Sequence, residues 1–431
     1  MSAPNSTSRL SYLSQHLRAS AILRIGAEVR ALMDQGKTID NLTVGDFSSA
    51  QFPIPKELED GLIEALRAGE TTYPPASGME SLRQAIREYY LHRWNLDFPI
   101  ESILVTAGAR PPIYGVYRAL VDAGDKVVFG VPCWNNEYYG EMLGAEQVTL
   151  DCDASTGFLP TAEMLRPHLR GARLLALNSP LNPTGTAFTA EQLGAICDLV
   201  LEENARRGAN ERPLFVMYDQ VYWMITVDGV KHVDPISVRP AMRQYTILVD
   251  AISKSFAATG LRVGWAVAPP DIMAAMSDVT VHTGAWAPKA EQIATAKFLV
   301  NHAAVDRYMH GLRTEIVNRL HAMYDGLIAM RDDGLPVDAV RPQGGIYVSG
   351  RFALHGLQTP EGRTLTTDED VRWYLLHAAG LAIIPFNAFG SPGDRGWFRI
   401  SIGIVTVEQI NAMLPRVRAA VDALVGEPAT R

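Results

Sequence analysis

A chain of 431 residues has room for about two or three domains, and 47% apolar content with ordinary glycine and proline counts marks it as soluble and globular. A net charge of -8 argues against a nucleic-acid partner. Cys133, Cys152 and Cys197 lie far apart without C-x-x-C spacing, so neither a disulfide framework nor a metal site is expected; no apolar run approaches membrane-spanning length, and the polar N-terminus lacks the apolar stretch of a signal peptide, which makes a cytoplasmic protein the expectation.

In chain order, residues 1–20 read as an N-terminal arm and 22–35 as an amphipathic helix. Strand-like runs at about 102–106, 126–130, 147–150, 173–177, 214–218, 246–250 and 263–268 alternate with helical stretches such as 190–203. This alternation predicts an α/β fold, a mostly parallel central sheet with helices on both faces. Over 290–330 the helical pattern is nearly unbroken, suited to joining a large domain to a smaller α+β domain that combines both chain ends. The expected division is the arm at 1–20, a small domain from 21–55 and 295–431, and a large domain at 56–294. Residues 354–367, rich in glycine, threonine and polar residues, read as an exposed loop.

Three segments carry the chemistry: Asn178-Ser-Pro-Leu-Asn182-Pro-Thr-Gly185, Tyr218-Asp219-Gln-Val-Tyr222, and Ser253-Lys254 followed by Gly260-Leu-Arg262. Singly, each has a bland reading: a Ser-Lys pair is usually a solvated loop, and an Asp after a strand is usually a cap or turn residue. Their setting changes that, because each follows a run that reads as a buried parallel strand, and open α/β sheets bind ligands at the carboxyl ends of their strands. Together they supply what pyridoxal 5'-phosphate (PLP) requires. Lys254 offers an amine for the cofactor aldehyde, Asp219 a carboxylate to hold the pyridine nitrogen protonated, and Arg262 a cation for the phosphate. Earlier in the chain, the small-residue turn Ala107-Gly108-Ala109-Arg110 precedes Pro111-Pro112, where proline opens a helix without loss, and such a turn aims backbone amides at a phosphate.

From about Leu42 to Ile404 the sequence resembles the class I and II aminotransferases of PLP fold type I, most clearly in Ser-Lys-Ser-Phe-Ala-Ala-Thr-Gly-Leu-Arg-Val-Gly-Trp around Lys254. The resemblance implies that Lys254, Asp219 and Tyr222 are catalytic and that Asn182 and Tyr222 meet the cofactor's phenolic oxygen. It further implies that Gly108, Ala109, Arg110, Ser253 and Arg262 serve the phosphate and that Trp134 stacks on the pyridine ring. Tyr73 would reach the phosphate of a neighbouring subunit, which implies a homodimer with shared sites. Arg399, on the alternating strand Trp397-Phe398-Arg399-Ile400-Ser401, would grip the substrate α-carboxylate beside Gly45; a planar guanidinium suits that task, and an exposed edge-strand arginine is the plain alternative. In the prokaryotic aspartate aminotransferase branch a lysine after the phosphate turn and a serine of the arm meet a distal carboxylate, and Arg110 and Ser20 stand in comparable places here.

The implied activity is a ping-pong transfer of the amino group from an L-amino acid, aspartate or glutamate favoured, to a 2-oxo acid such as 2-oxoglutarate. Alternatives are an aromatic or broad-range aminotransferase, a β-lyase or decarboxylase of the same fold, and a non-catalytic sensor domain, for which the forty or so residues before Leu42 leave little room. Three departures stand out: Ala251 replaces a phosphate-binding hydroxyl, Gln220 follows Asp219 where glutamate is common, and Phe386 replaces a glycine, which is expected to narrow the substrate mouth.

Overall fold

The computed structural model describes residues 9–17, 20–208 and 211–426. Residues 1–8 and 18–19 of the expected arm lie outside the described residues; within it, a short helix spans Tyr12–His16.

The central sheet has seven strands in the spatial order Ile103–Thr106, Gly264–Val267, Thr246–Ala251, Phe215–Asp219, Ala172–Asn178, Lys126–Val131 and Glu146–Asp151. Only Gly264–Val267 runs against its neighbours. Each strand falls within a residue or two of its predicted run; most are short, largely apolar segments that can only be buried, whereas the edge strand Glu146–Asp151 has only Leu150 buried. Every residue of Ile103–Thr106, Thr246–Ala251 and Gly264–Val267 is buried. Helices cover both faces, as a parallel sheet requires. The Ala190–Arg207 helix starts at a capping box, with the Thr189 hydroxyl accepting from the Gln192 amide and the Gln192 side chain returning to Thr189, which satisfies two otherwise orphaned donors.

A four-stranded antiparallel sheet, Ile384–Pro385, Trp397–Ser401, Tyr347–Phe352 and Val337–Val340, lies toward the C-terminus. Asp40–Asn41 pairs in parallel with Leu381–Ala382, and the Leu42 carbonyl accepts from the Ser401 amide at 2.9 Å. These bonds carry the N-terminal segment Thr43–Gly45 alongside the strand bearing Arg399.

The helical stretch predicted over 290–330 is two helices, Lys289–Leu299 and His302–Asp332. Asn301 breaks it: its side chain caps the second helix by accepting from the Ala304 amide. The long second helix serves two apolar clusters. Val305 and Met309 pack with the central sheet's core, while Leu312, Ile316, Leu320 and Leu327 pack with Val348, Phe398 and Ile400 of the antiparallel sheet. The expected loop over 354–367 is tied down, with Leu354, Leu357 and Leu365 buried and Gln358 bridging to Thr364 and Val425. Its polar composition concealed three apolar anchors.

Candidate active site

Adjacent parallel strands end side by side, and their last residues are in register, Asn178 opposite Asp219 and Asp219 opposite Val249. Side chains then stitch the strand ends together. Asn178 Nδ2 donates to the Asp219 carbonyl at 2.8 Å, and Asn178 Oδ1 accepts from the Asn182 amide at 2.8 Å. The result is a cavity of about 390 Å³ above the strand ends, lined by Asn182, Asp219, Tyr222, Ser253, Lys254, Arg262, Tyr347 and Arg399 on its floor. Ala109, Arg110, Trp134 and the helix Ala21–Asp34 contribute its walls. Two other cavities, about 410 Å³ beside Phe98 and about 720 Å³ beside Arg395, contain none of these residues, so the site is identified by its chemistry and not by its volume.

Lys254 lies in the single-turn helix Ile252–Ser255 directly after a buried strand, and its Nζ donates to the Gly45 carbonyl. Burial holds this amine down at about 8; Asp46 opposes that shift, and Arg399, Arg262 and Arg110 reinforce it. Asp219 shows the mirror effect. Burial pushes its carboxyl up to about 6, against one stabilising bond from the Val221 amide at 3.2 Å. No cation pairs with Asp219 among the described residues, although a buried carboxylate ordinarily demands one.

Arg399 is buried between two rings, with its guanidinium carbon 4.8 Å from the centroids of both Tyr347 and Phe389. Its Nη2 donates to the Thr43 carbonyl at 2.6 Å and its Nη1 to Asn182 Oδ1 at 3.2 Å, while Nε is buried without a partner. Burial lowers its pKa. Gly45 is required beside it, since a Cβ there would stand 2.5 Å from the Tyr347 hydroxyl. That hydroxyl shares a 2.7 Å hydrogen bond with Tyr222.

The anion-binding corner is assembled from two elements. Gly108 has φ 86° and a Cβ on it would lie 2.1 Å from Arg262 Nη2, so the missing side chain is what admits the guanidinium. Arg262 is fixed there by donating to the Thr259 and Ala107 carbonyls at 2.6 and 2.9 Å. Opposite it begins the helix Arg110–Leu120, with no side-chain cap at Ala109; Pro111 and Pro112 carry no N–H, so this terminus offers an anion the Ala109 and Arg110 amides and the positive end of the helix dipole. The Arg110 guanidinium lies 5.2 Å from the Trp134 ring centroid.

An unpaired buried carboxylate, an orphaned buried guanidinium nitrogen, a lysine amine and an open helix N-terminus facing Arg262 form the donor set that PLP requires of a protein. The residues fit the cofactor. Most of the residues expected from sequence meet here, with Gly108 acting just behind the wall. Two do not join them. Ser20 stands at the N-terminus of the helix Ala21–Asp34 without a side-chain cap bond, and Tyr73, 86% exposed, packs against Trp286; neither is among the cavity's lining. Phe386 corrects an expectation: it is 3% exposed, set edge-on to Phe158 at 5.1 Å inside an apolar cluster, so it fills core and does not narrow the mouth. Sequence reasoning passed over Asp46, Thr259 and the role of Tyr347. Asp46 accepts from the Thr259 hydroxyl at 2.8 Å and raises the Lys254 pKa. Thr259 stands inside the segment quoted around Lys254 and Asp46 directly follows Gly45, whereas none of the quoted motifs reaches Tyr347.

Comparison with known proteins agrees. Residues 37–417 match the family model "Aminotransferase class I and II". An aspartate aminotransferase of Rhizobium meliloti (strain 1021) is 31% identical over 94% of each chain, and an aspartate/prephenate aminotransferase of Thermus thermophilus is 29% identical over 88% of this chain and 92% of that one. A crystal structure of the aspartate aminotransferase from Rhizobium meliloti superposes with a TM-score of 0.87 at 28% identity, covering 97% of this chain and all of that one. The chain belongs to the class I and II aminotransferase family. It is a PLP-dependent transferase of amino groups, acting between an amino acid and a 2-oxo acid. No helix among the described residues is long and apolar enough to cross a membrane.

Proposed function

We propose that the enzyme takes its amino group from a dicarboxylic L-amino acid, aspartate or glutamate, and passes it to 2-oxoglutarate or a similar 2-oxo acid. The observation that carries this reading is Arg110, a cation on the cavity wall without a carboxylate partner among the described residues, at the first position of the helix that opens the anion corner and over Trp134. The relatives named as aspartate aminotransferases support it.

When bound, PLP supplies an aldehyde that takes up the substrate amine and a ring that draws electrons from the α-carbon. The chain does the rest. Arg399 binds the substrate α-carboxylate with the face carrying its unpartnered Nε, and its guanidinium is held in place by the Thr43 carbonyl and Asn182. Lys254, with an amine held near 8, takes and returns the proton at the substrate α-carbon, a task that needs a base titrating near working pH. Asp219 would hold the protonated ring nitrogen of the cofactor, and Asn182 and Tyr222 would donate to its phenolic oxygen. Ser253, Arg262, Ala109 and the helix start would hold the phosphate, with Gly108 making room for Arg262, and Trp134 would cover the ring.

The same reading divides the chain into a large domain at 56–294 and a small one at 21–55 and 295–431, supported by the helix His302–Asp332, which passes from one apolar cluster to the other. It also includes a homodimer, supported by exposed Tyr73, whose ring lies 5.7 Å from that of half-buried Trp286 and is free to serve a neighbouring subunit. A cytoplasmic setting is supported by three buried cysteines that are all unbridged. One observation favours a second donor class: Ile22, Leu23 and Ile113 share the cavity wall, which suits an aromatic or aliphatic side chain.

A screen of amino acids against 2-oxoglutarate, with products quantified, tests the donor class. Arg110→Ala is expected to raise KM for aspartate far more than for an aromatic donor, by a factor reflecting roughly 2–5 kcal/mol if the pair is shielded from water; an equal loss for all donors assigns Arg110 to the phosphate instead and favours the aromatic reading. Mixing inactive Lys254→Ala with impaired Tyr73→Ala under subunit exchange tests the shared sites. Activity above both parents is expected, and none despite proven exchange counts against them.

A further inference from the structure

The helix Ala21–Asp34 forms one wall of the cavity and presents Ile22, Leu23, Gly26 and Arg30 to it. Arg30 is the charged member of that wall. Side chains on a helix lean toward its N-terminus, and this one does: Arg30 Nη1 lies 3.5 Å from where a Cβ on Gly26 would stand. The guanidinium therefore lies over Gly26, one turn back along the helix, on the cavity side. Among the described residues it has no carboxylate partner and makes no side-chain hydrogen bond.

A glycine inside a helix costs roughly 0.5–1 kcal/mol relative to alanine, and Gly26 is buried at this wall with nothing closer than Arg30 to exclude a methyl group. Its bare backbone leaves the space beside the guanidinium open. Other cations of the cavity already have work: Arg399 and Arg262 are tied to carbonyls on the floor, and Lys254 to Gly45. Two remain uncommitted, Arg110 on one wall and Arg30 on the wall formed by the helix, both lining the same 390 Å³ cavity as Arg399.

We propose that Arg30 is a specificity-determining residue, a second cation that meets the distal carboxylate of the amino donor from the helix wall while Arg110 meets it from the other. The proposal rests on the dicarboxylic reading above and goes beyond it, since it makes the helix Ala21–Asp34 part of the substrate site. A guanidinium on each wall suits a substrate with carboxylates at both ends: Arg399 holds one, and the pair at the mouth holds the other in bidentate geometry. Charge at the mouth also draws dianionic substrates in from solution, an effect that salt screens.

The test compares the PLP-loaded wild type with Arg30→Ala and Arg30→Lys, measuring kcat and KM for aspartate, glutamate, alanine and phenylalanine. Binding of succinate, which cannot react, is measured calorimetrically at low and high salt. Arg30→Ala is expected to reduce kcat/KM for aspartate about tenfold more than for alanine or phenylalanine, mostly through KM, and to weaken succinate about tenfold with a shallower salt dependence; Arg30→Lys should recover part of both. A wild type that prefers dicarboxylic donors, with that preference and the succinate affinity unchanged in Arg30→Ala, overturns the role of Arg30 alone. A wild type with no such preference overturns the dicarboxylic reading, and this inference with it.

Discussion

On the floor of the cavity Arg399 is held by the Thr43 carbonyl and Asn182, and Arg262 by the Thr259 and Ala107 carbonyls, whereas on the walls the Arg30 and Arg110 side chains make no hydrogen bond to any described residue. Arg399 projects from the middle of the buried strand Trp397–Ser401 and Arg262 from the turn before Gly264–Val267, and each is held by two carbonyl or amide oxygens. Wall cations project from helices, with Leu23 beside them 72% exposed. The difference separates two functions. Groups that must meet reacting atoms need fixed geometry, because small misplacements cost large factors in rate, while groups that select a side chain can be set by the substrate itself. Changes on the floor should abolish chemistry, and changes on the walls should redistribute it among donors.

The largest expected effect lies on the floor. Lys254→Ala should lower kcat by at least the 10²–10⁴-fold that a positioned acid–base group typically contributes, with the protein still folded by circular dichroism. Borohydride treatment of the wild type should fix cofactor covalently to Lys254. A label found on Lys289 would overturn the assignment, since that amine instead pairs with Glu70 at 2.7 Å.

Next comes a stability effect with a defined sign. Asp219 titrates at about 6 when folded against an ordinary 3.8, so between those values the folded chain keeps a proton that the unfolded chain has lost. Stability of the cofactor-free protein therefore falls as pH rises through that window, and the whole cost, roughly 2–3 kcal/mol, is present above it. Asp219→Asn should accordingly raise the Tm of the cofactor-free protein at pH 7, with the gain vanishing near pH 4, while sharply lowering transamination by the loaded enzyme. A variant less stable at pH 7 would show that the carboxylate has a partner in solution, and the place for a ring cation would be lost. The floor thus stores instability that the cofactor relieves, a feature the walls lack.

The same contrast explains what was legible in the sequence. Floor residues follow continuous apolar runs such as Leu174–Leu177 and Thr246–Val249, whose burial leaves little choice of structure, so Asn182, Asp219 and Lys254 could be placed from neighbours in the chain. Arg30 and Gly26 sit in an ordinary amphipathic helix, and only the tertiary packing of that helix turns one face to the cavity. Phe386 misled for a related reason: its sequence neighbours mark a loop, while its ring packs with nearby Phe389 and Trp397 against Phe158, which comes from a distant segment. The break between Leu299 and His302 was hidden because Val300 and Asn301 continue a helical pattern that only the Asn301 cap interrupts.

The smallest expected effect concerns Ser20, where resemblance and geometry disagree. The resemblance gives it a hydroxyl for the distal carboxylate, yet here it stands at the start of the helix Ala21–Asp34, outside the cavity lining, and does not even cap that helix through its side chain. A cap hydroxyl that makes its bond is worth about 1 kcal/mol; one that does not has little to lose. Ser20→Ala should change Tm little and alter kcat/KM for aspartate and for phenylalanine by less than about twofold, near the scale of a single weak hydrogen bond to solvent. A loss of tenfold for aspartate alone would mean that the helix shifts when substrate binds and carries Ser20 inward with Arg30, so that the wall is completed by the ligand. Double substitution then decides between the two: independent residues give additive losses, whereas residues moved together by one helix give a combined loss different from their sum.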